Sequence, residues 1–346
     1  MESSRGRGRE RPRSGLGEDL DVDLEFDRFG DAPQAPSAGD GLDLPEFVQP
    51  QAPSERHPPA RVTAPQRSRR VKRPAGPRRR RRGSETLARI LWVLPWIVVV
   101  IAIVVVGGLL FAAAMVGFAV VGLIELFRMT RDSQPFLTVA ALVAAGLIAA
   151  AYWGDQYQMV LALAAAFPLM FFAAAMRKSF DGVTSSVAVT TLGLLWIALP
   201  FSYAVLLREL PLHGGALLID VLVGTFITDT AAYAGGRLFG RHPLAPRLSP
   251  NKTVEGLVIG FVAGTMGFWF AGLYQDWLSG IDALLMGMVI ATLAPIGDLF
   301  ESLVKRDLGV KDSGNVFGPH GGLLDRLDAV LFTIVAGYYL SVAFVY

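Results

Sequence analysis

The chain has no cysteine, which excludes disulfides, thiolate nucleophiles and cysteine metal ligands. Its four histidines, His57, His213, His242 and His320, are too scattered for a zinc site, and no HExxH occurs. There is no GxxxxGK[ST] either, so a nucleotide would have to be held by something other than a P-loop. Charge is scarce, with Asp, Glu, Lys and Arg making up 18% of the residues. No half of the chain repeats the other, which argues against the repeated-half plan common in transporters. No apolar run stands at the N-terminus, so no signal peptide is expected.

What the chain has in abundance is apolar surface: 52% of residues are hydrophobic and the mean hydropathy is +0.44. Those values fit a protein whose solvent is largely lipid. The net charge of +2 conceals a sharp asymmetry between the two ends. Residues 1–86 have few large apolar side chains and are rich in Pro, Gly, Ser, Arg and Asp. They bury too little to offset ordering entropy, so they are expected to form a disordered tail. The tail is basic from Arg5 to Arg13, acidic from Glu18 to Glu46, then basic again from Arg61 to Arg82. The arginine run Arg78 to Arg82 directly precedes the first apolar segment, where it suits anionic lipid headgroups and orients insertion. No nucleic-acid partner is expected from it.

From residue 87 onward the expectation is an all-α polytopic membrane domain, 87–346, of about nine transmembrane helices. Leu87 to Met129 is twice the length one crossing needs, and Gly107-Gly108 is the natural break. Further spans are read near Phe136–Tyr152, Tyr157–Ala175, Val187–Leu207, Ala216–Gly236, Val254–Tyr274, Ile281–Val304 and Leu324–Val345. Arg128, Arg131, Arg177, Lys178, Arg237, Arg241, Arg247, Lys252, Lys305, Arg306 and Lys311 all fall in alternate loops, on the side of the basic tail. By the positive-inside rule that side is cytoplasmic and the C-terminus lies outside.

The most polar segment of this domain is Ser302 to Asp328. It gathers Lys305, Arg306, Lys311 and Arg326 with Asp307, Asp312, Asp325 and Asp328, around Gly318-Pro319-His320-Gly321-Gly322. Basic groups and backbone amides suit phosphates, and carboxylates suit a hard cation. The segment therefore looks like a site for a metal–nucleotide complex; an ordinary charged loop is the alternative. Asp298, Ser302 and Lys305 share a helical face at i, i+4 and i+7, and Asp325 and Asp328 stand at i, i+3. Ion pairing of Asp298 and Asp325 with Lys305 and Arg326 remains open on these spacings alone. Asp229, Tyr233 and Arg237 line another helical face, either as a structural pair or as a nucleotide or second-cation site. Ser249 to Gly256 opens a helix whose free N–H groups suit a phosphate, and Lys252 adds a full charge. Ser249 serves equally as an ordinary N-cap.

Ser302, Lys305-Arg306, Lys311-Asp312, Gly314, His320-Gly321-Gly322 and Asp325-Arg326-x-Asp328 keep the order and spacing of a known signature. It resembles that of the phosphatidate cytidylyltransferases, the CDP-diacylglycerol synthases. Ser249-Pro250-Asn251-Lys252-Thr253-Val254-Glu255-Gly256 resembles the SPKKTxEG block of that family, and Asp229 to Gly240 its DTxAYxxGRxxG block. Asp298 sits in another, Gly-Asp-Leu-Phe-Glu-Ser. The chain departs from the family at Gly318-Pro319, often Pro-Gly, at Ala329, often Ser, and at Asn251, often Lys. The resemblance implies transfer of CMP from CTP to phosphatidic acid, with Mg²⁺ and room for a second cation. It implies Asp298, Asp325 and Asp328 as metal ligands, and Lys305, Arg306, Lys311, His320 and Arg326 on the reacting phosphates. Asp229, Tyr233, Arg237, Ser249, Lys252, Ser302, Gly321 and Gly322 would bind the nucleotide. It also implies a multi-pass protein of a bacterial-type plasma membrane, compatible with a homodimer, its site facing the cytoplasm. Another lipid phosphate as acceptor, or a polytopic transporter, are the competing readings.

Overall fold

The computed structural model describes residues 98–314 and 321–346. The expectations placed on the tail, on most of the first span and on His320 lie outside them. Residues 98–106 are helical, and the run breaks where the two glycines stand. Gly107 and Gly108 have φ of 64° and 57°, the left-handed region that only glycine enters without strain. Arg208 closes the break, donating through Nε to the Val104 carbonyl at 2.6 Å.

The helices follow in chain order: α1 Gly108–Met129, α2 Leu137–Trp153, α3 Gln156–Ala175, α4 Val183–Arg208, α5 Gly214–Phe239, α6 Val254–Gly272, α7 Gly280–Asp307 and α8 Leu324–Phe344. Seven are long and apolar enough to cross a membrane; α2, at 17 residues, is shorter. Helix α4 contains a π segment, Leu194–Ala198, and α7 runs unbroken through Pro295. Helix α3 starts on a capping box in which Asp155 and Gln158 satisfy each other's backbone N–H groups. Most side chains of α3 face outward, as they must where lipid is the neighbour, whereas α4 is largely enclosed.

Two findings correct the sequence reading. The described residues are not wholly helical: Pro243–Ala245 (β1) pairs antiparallel with Ser249–Thr253 (β2) in a short hairpin. Ser249 therefore does not open α6. The cap is Thr253, whose Oγ1 accepts from Gly256 N at 3.1 Å. Pro250 disfavours a helical conformation at Ser249, so the chain stays extended until Thr253.

Helices α5 and α6 pack closest, and small residues are the cause. A Cβ on Gly260 would stand 2.7 Å from Ala232 Cβ, and one on Gly256 would stand 2.6 Å from the Ala232 carbonyl oxygen. Hydrocarbon offers no hydrophobic drive between helices, so close backbone approach and dispersion hold the pair. A buried hydrogen bond from Thr225 Oγ1 to Thr333 Oγ1, 2.8 Å long, ties α5 to α8. At one end of this bundle lie Asp220 and Gln275, hydrogen-bonded at 2.7 Å. At the other end, α1 finishes, the hairpin folds back, α7 finishes and α8 begins.

Candidate functional site

That second end is where the polar blocks meet. Lys252, at the end of β2, sends its ammonium to Asp298 Oδ2 of α7 at 2.5 Å. Asp298 is nine residues short of the end of α7, roughly 13 Å along the axis. Arg306, at the foot of α7, donates through Nε to the Leu248 carbonyl at 3.2 Å and so fixes the hairpin over the helix end. Asp298 thus finds a partner that sequence spacing did not suggest: Lys252, fetched by the hairpin, and not Lys305 or Arg326.

Lys305 is committed elsewhere. Its ammonium lies 2.7 Å from Glu301 Oε2 and 2.8 Å from Asp325 Oδ1, so it bridges α7 and α8. Asp325 in turn holds the signature loop. Its Oδ2 accepts from Ser313 N at 2.9 Å, Ser313 Oγ at 3.0 Å and Gly322 N at 2.8 Å. Gly321 makes this possible with φ of 86°, and a Cβ there would lie 2.7 Å from Asp325 Oδ2.

Asp328 stands one turn further into α8. Asp298, Glu301 and Asp229 are the charged neighbours that act on it, and Asp229 also interacts with Asp298 and Lys252. Three helices therefore bring Asp229, Asp298, Glu301, Asp325 and Asp328 together, with Lys252 and Lys305 as their paired cations. Buried charge of one sign in excess is costly. Glu301 is 1% exposed, and among the described residues its Oε1 has no hydrogen-bond partner. Hard oxygen donors in excess, one of them orphaned, fit a divalent cation. Among the described residues no three such side chains stand ready to hold an ion, and Asp298 is engaged by Lys252.

Of the other expected residues, Ser302 is half-buried on α7, while Lys311 and Arg326 are exposed beside the loop. Tyr233 and Arg237 are exposed near the end of α5, with Arg237 donating to the Tyr233 hydroxyl at 3.3 Å. Gly322 is buried, and Ser313 Oγ occupies the space a Cβ there would need.

Two residues escaped the sequence reading. Glu301 stands four residues before Lys305, the spacing of a helical ion pair. Glu125 lies inside the apolar segment Leu87 to Met129, outside every polar block. It is 1% exposed and accepts from Leu323 N and Leu324 N, both at 2.9 Å, and from Ser313 Oγ at 3.3 Å. The signal was there, since a carboxylate inside an apolar segment needs a partner.

A model of the cytidylyltransferase family matches residues 87–344. The chain is 32% identical over 257 residues to the phosphatidate cytidylyltransferase of Bacillus subtilis, covering 71% of this chain and 94% of that protein. It is 30% identical over 254 residues to the enzyme of that name from Staphylococcus saprophyticus, covering 71% and 95%. A Mycobacterium leprae protein of the same name is 38% identical over 143 residues, 41% of this chain and 46% of the relative. The family match spans every one of the polar blocks and the helices that carry them, and the chain belongs to the cytidylyltransferase family.

Proposed function

We propose that the protein transfers CMP from CTP to phosphatidic acid, giving CDP-diacylglycerol and pyrophosphate. The observation that carries this reading is the joining of three separate blocks, at Asp229, Lys252 and Asp298, on one end of a membrane bundle. A phosphate oxygen of the lipid attacks the α-phosphorus of CTP. The new P–O bond forms as the bond to the β-phosphate breaks, and pyrophosphate departs with the electron pair. The lipid phosphate is already ionised near neutral pH, so no strong general base is required. The work of the chain is to position two anions and offset their charge.

Asp298, Asp328 and Asp229 are the residues that would hold a divalent cation such as Mg²⁺. When bound, the cation would neutralise charge on the nucleotide phosphates. Lys252 leaves Asp298 to meet a phosphate. Exposed Lys311, Arg326 and Arg237 sit at the rim, where pyrophosphate and the lipid headgroup would be received. Asp325 and Lys305 keep the loop and the two helices in register. Residues 87–346 form the catalytic part and residues 1–86 a separate tail, in keeping with a family match that starts at 87.

The direct test is release of pyrophosphate from CTP by purified protein. It should depend on added phosphatidic acid, stop with EDTA and resume with Mg²⁺. Equal or better turnover with an isoprenoid or ether lipid phosphate would reassign the acceptor. The alternation of Lys and Arg among the loops supports a site on the cytoplasmic face of the plasma membrane. Because the chain has no cysteine, single cysteines at Ser179 and Asp312 should be labelled only from the cytoplasm, and one at Ser279 only from outside. Labelling of Ser179 and Ser279 from the same side would break this topology.

A further inference from the structure

Helix α8 lacks a cap of its own. Leu323 occupies the cap position and has no side chain able to accept a hydrogen bond from the first turn. Free N–H groups at a helix start need acceptors, above all when they are buried. Here the acceptor comes from another helix, α1. Glu125 Oε1 takes the N–H of Leu323 and Oε2 that of Leu324, across separations of 198 and 199 residues. The single hydroxyl proton of Ser313 is shared between Glu125 Oε2, at 3.3 Å, and Asp325 Oδ2, at 3.0 Å. Leu323 and Leu324 are 5% and 1% exposed, so water cannot substitute for the missing acceptor. The carboxylate's charge faces the positive end of the α8 dipole.

The fit is tight on every side. A Cβ on Gly314 would come within 2.7 Å of Glu125 Oε1, and one on Gly322 within 2.6 Å of Oε2. Glu125 belongs to none of the polar blocks, yet it touches the connection between α7 and α8 at Ser313 and again at Leu323. Asp325 and Asp328 follow Leu324 by one and four residues, so the first turn of α8 sets where both carboxylates stand.

We propose that Glu125 is a positioning residue, a cap supplied from α1 that holds the first turn of α8 and thereby the carboxylates of the reaction site. The proposal rests on the function given above. Glu125→Gln keeps the length but offers a donor where the carboxylate only accepted, so a backbone N–H loses its partner. Glu125→Asp keeps the charge and withdraws it by one methylene.

The test joins hydrogen–deuterium exchange with steady-state kinetics on the full chain in detergent. In Glu125→Gln, amides at 322–324 should exchange on the order of tenfold faster, as expected for a lost cap, while α5 and α6 keep wild-type protection. Its kcat should fall by roughly 10²-fold, the scale of a small misplacement of reacting groups, with KM for phosphatidic acid little changed. Glu125→Asp should show both effects in weaker form. Wild-type kcat and unchanged exchange at 322–324 in both variants would overturn the proposal. So would faster exchange spread evenly over all helices, which marks a merely structural residue. Should wild-type protein show the local protection but no cytidylyl transfer, the function assignment fails and the cap remains.

Discussion

Asp298→Asn and Asp328→Asn should each lower pyrophosphate release by on the order of 10³-fold, the scale expected when a charge-stabilising element is lost. Asparagine keeps the shape but not the charge a hard divalent ion requires. The double variant should be scarcely worse than either single one, because residues that share one ion act as a unit. Asp298 needs a control, since its Oδ2 also meets Lys252 at 2.5 Å. If it merely neutralised that ammonium, adding Lys252→Met would restore the melting temperature that Asp298→Asn loses; turnover is no guide here, because Lys252 itself is assigned to a phosphate. Asp328 provides a second contrast. Its charged neighbours are Asp298, Glu301 and Asp229, so its own charge is opposed in the metal-free protein. Asp328→Asn should therefore melt no lower than wild type in EDTA, even as activity disappears. A variant that melts lower and retains turnover would remove Asp328 from the cation site.

The contrast between Asp298 and Glu125 shows what was legible in the chain and what was not. Apolar runs of about twenty residues announce helices without help from anything distant, and Gly107-Gly108 announces the break between two of them. The charged blocks were legible because a membrane domain carries few such residues, and those it keeps are concentrated at α5, β2, α7 and α8. Partner choice was not legible. Helical spacing pointed Asp298 toward Lys305, whereas the hairpin delivers Lys252 from a stretch read as the start of a helix. A two-stranded ribbon of three and five residues has too short a pattern to announce itself beside Pro250. Glu125 was harder still, since its partners are backbone N–H groups nearly two hundred residues away and backbone leaves no trace in side-chain pattern.

Lys305→Met should unfold more of the protein than any other substitution among the basic residues of the signature. The ammonium is 14% exposed and stands between Glu301 and Asp325, themselves 1% and 12% exposed. Removing it leaves two buried carboxylates facing each other without a cation. Breaking a buried pair from one side costs about 3–5 kcal/mol, most of it the penalty of the charge left behind. Loss of the bridge also frees Asp325, and with it the Ser313 and Gly322 amides that close the loop. Lys311→Ala should behave differently although both lysines lie in one signature. Lys311 is exposed, so the melting temperature should stay put, while turnover should fall only in part, since the proposed site shares the phosphates among several basic residues. Thermal melts in detergent, paired with initial rates on the folded fraction, separate the two. If Lys305→Met melted like wild type and lost only activity, its ammonium would be a phosphate ligand after all. Glu301→Gln combined with Lys305→Met sharpens the comparison, because it removes one of the stranded charges. Part of the lost stability should return in that double variant, and turnover should not, since Asp325 would still lack the cation that holds it against α7.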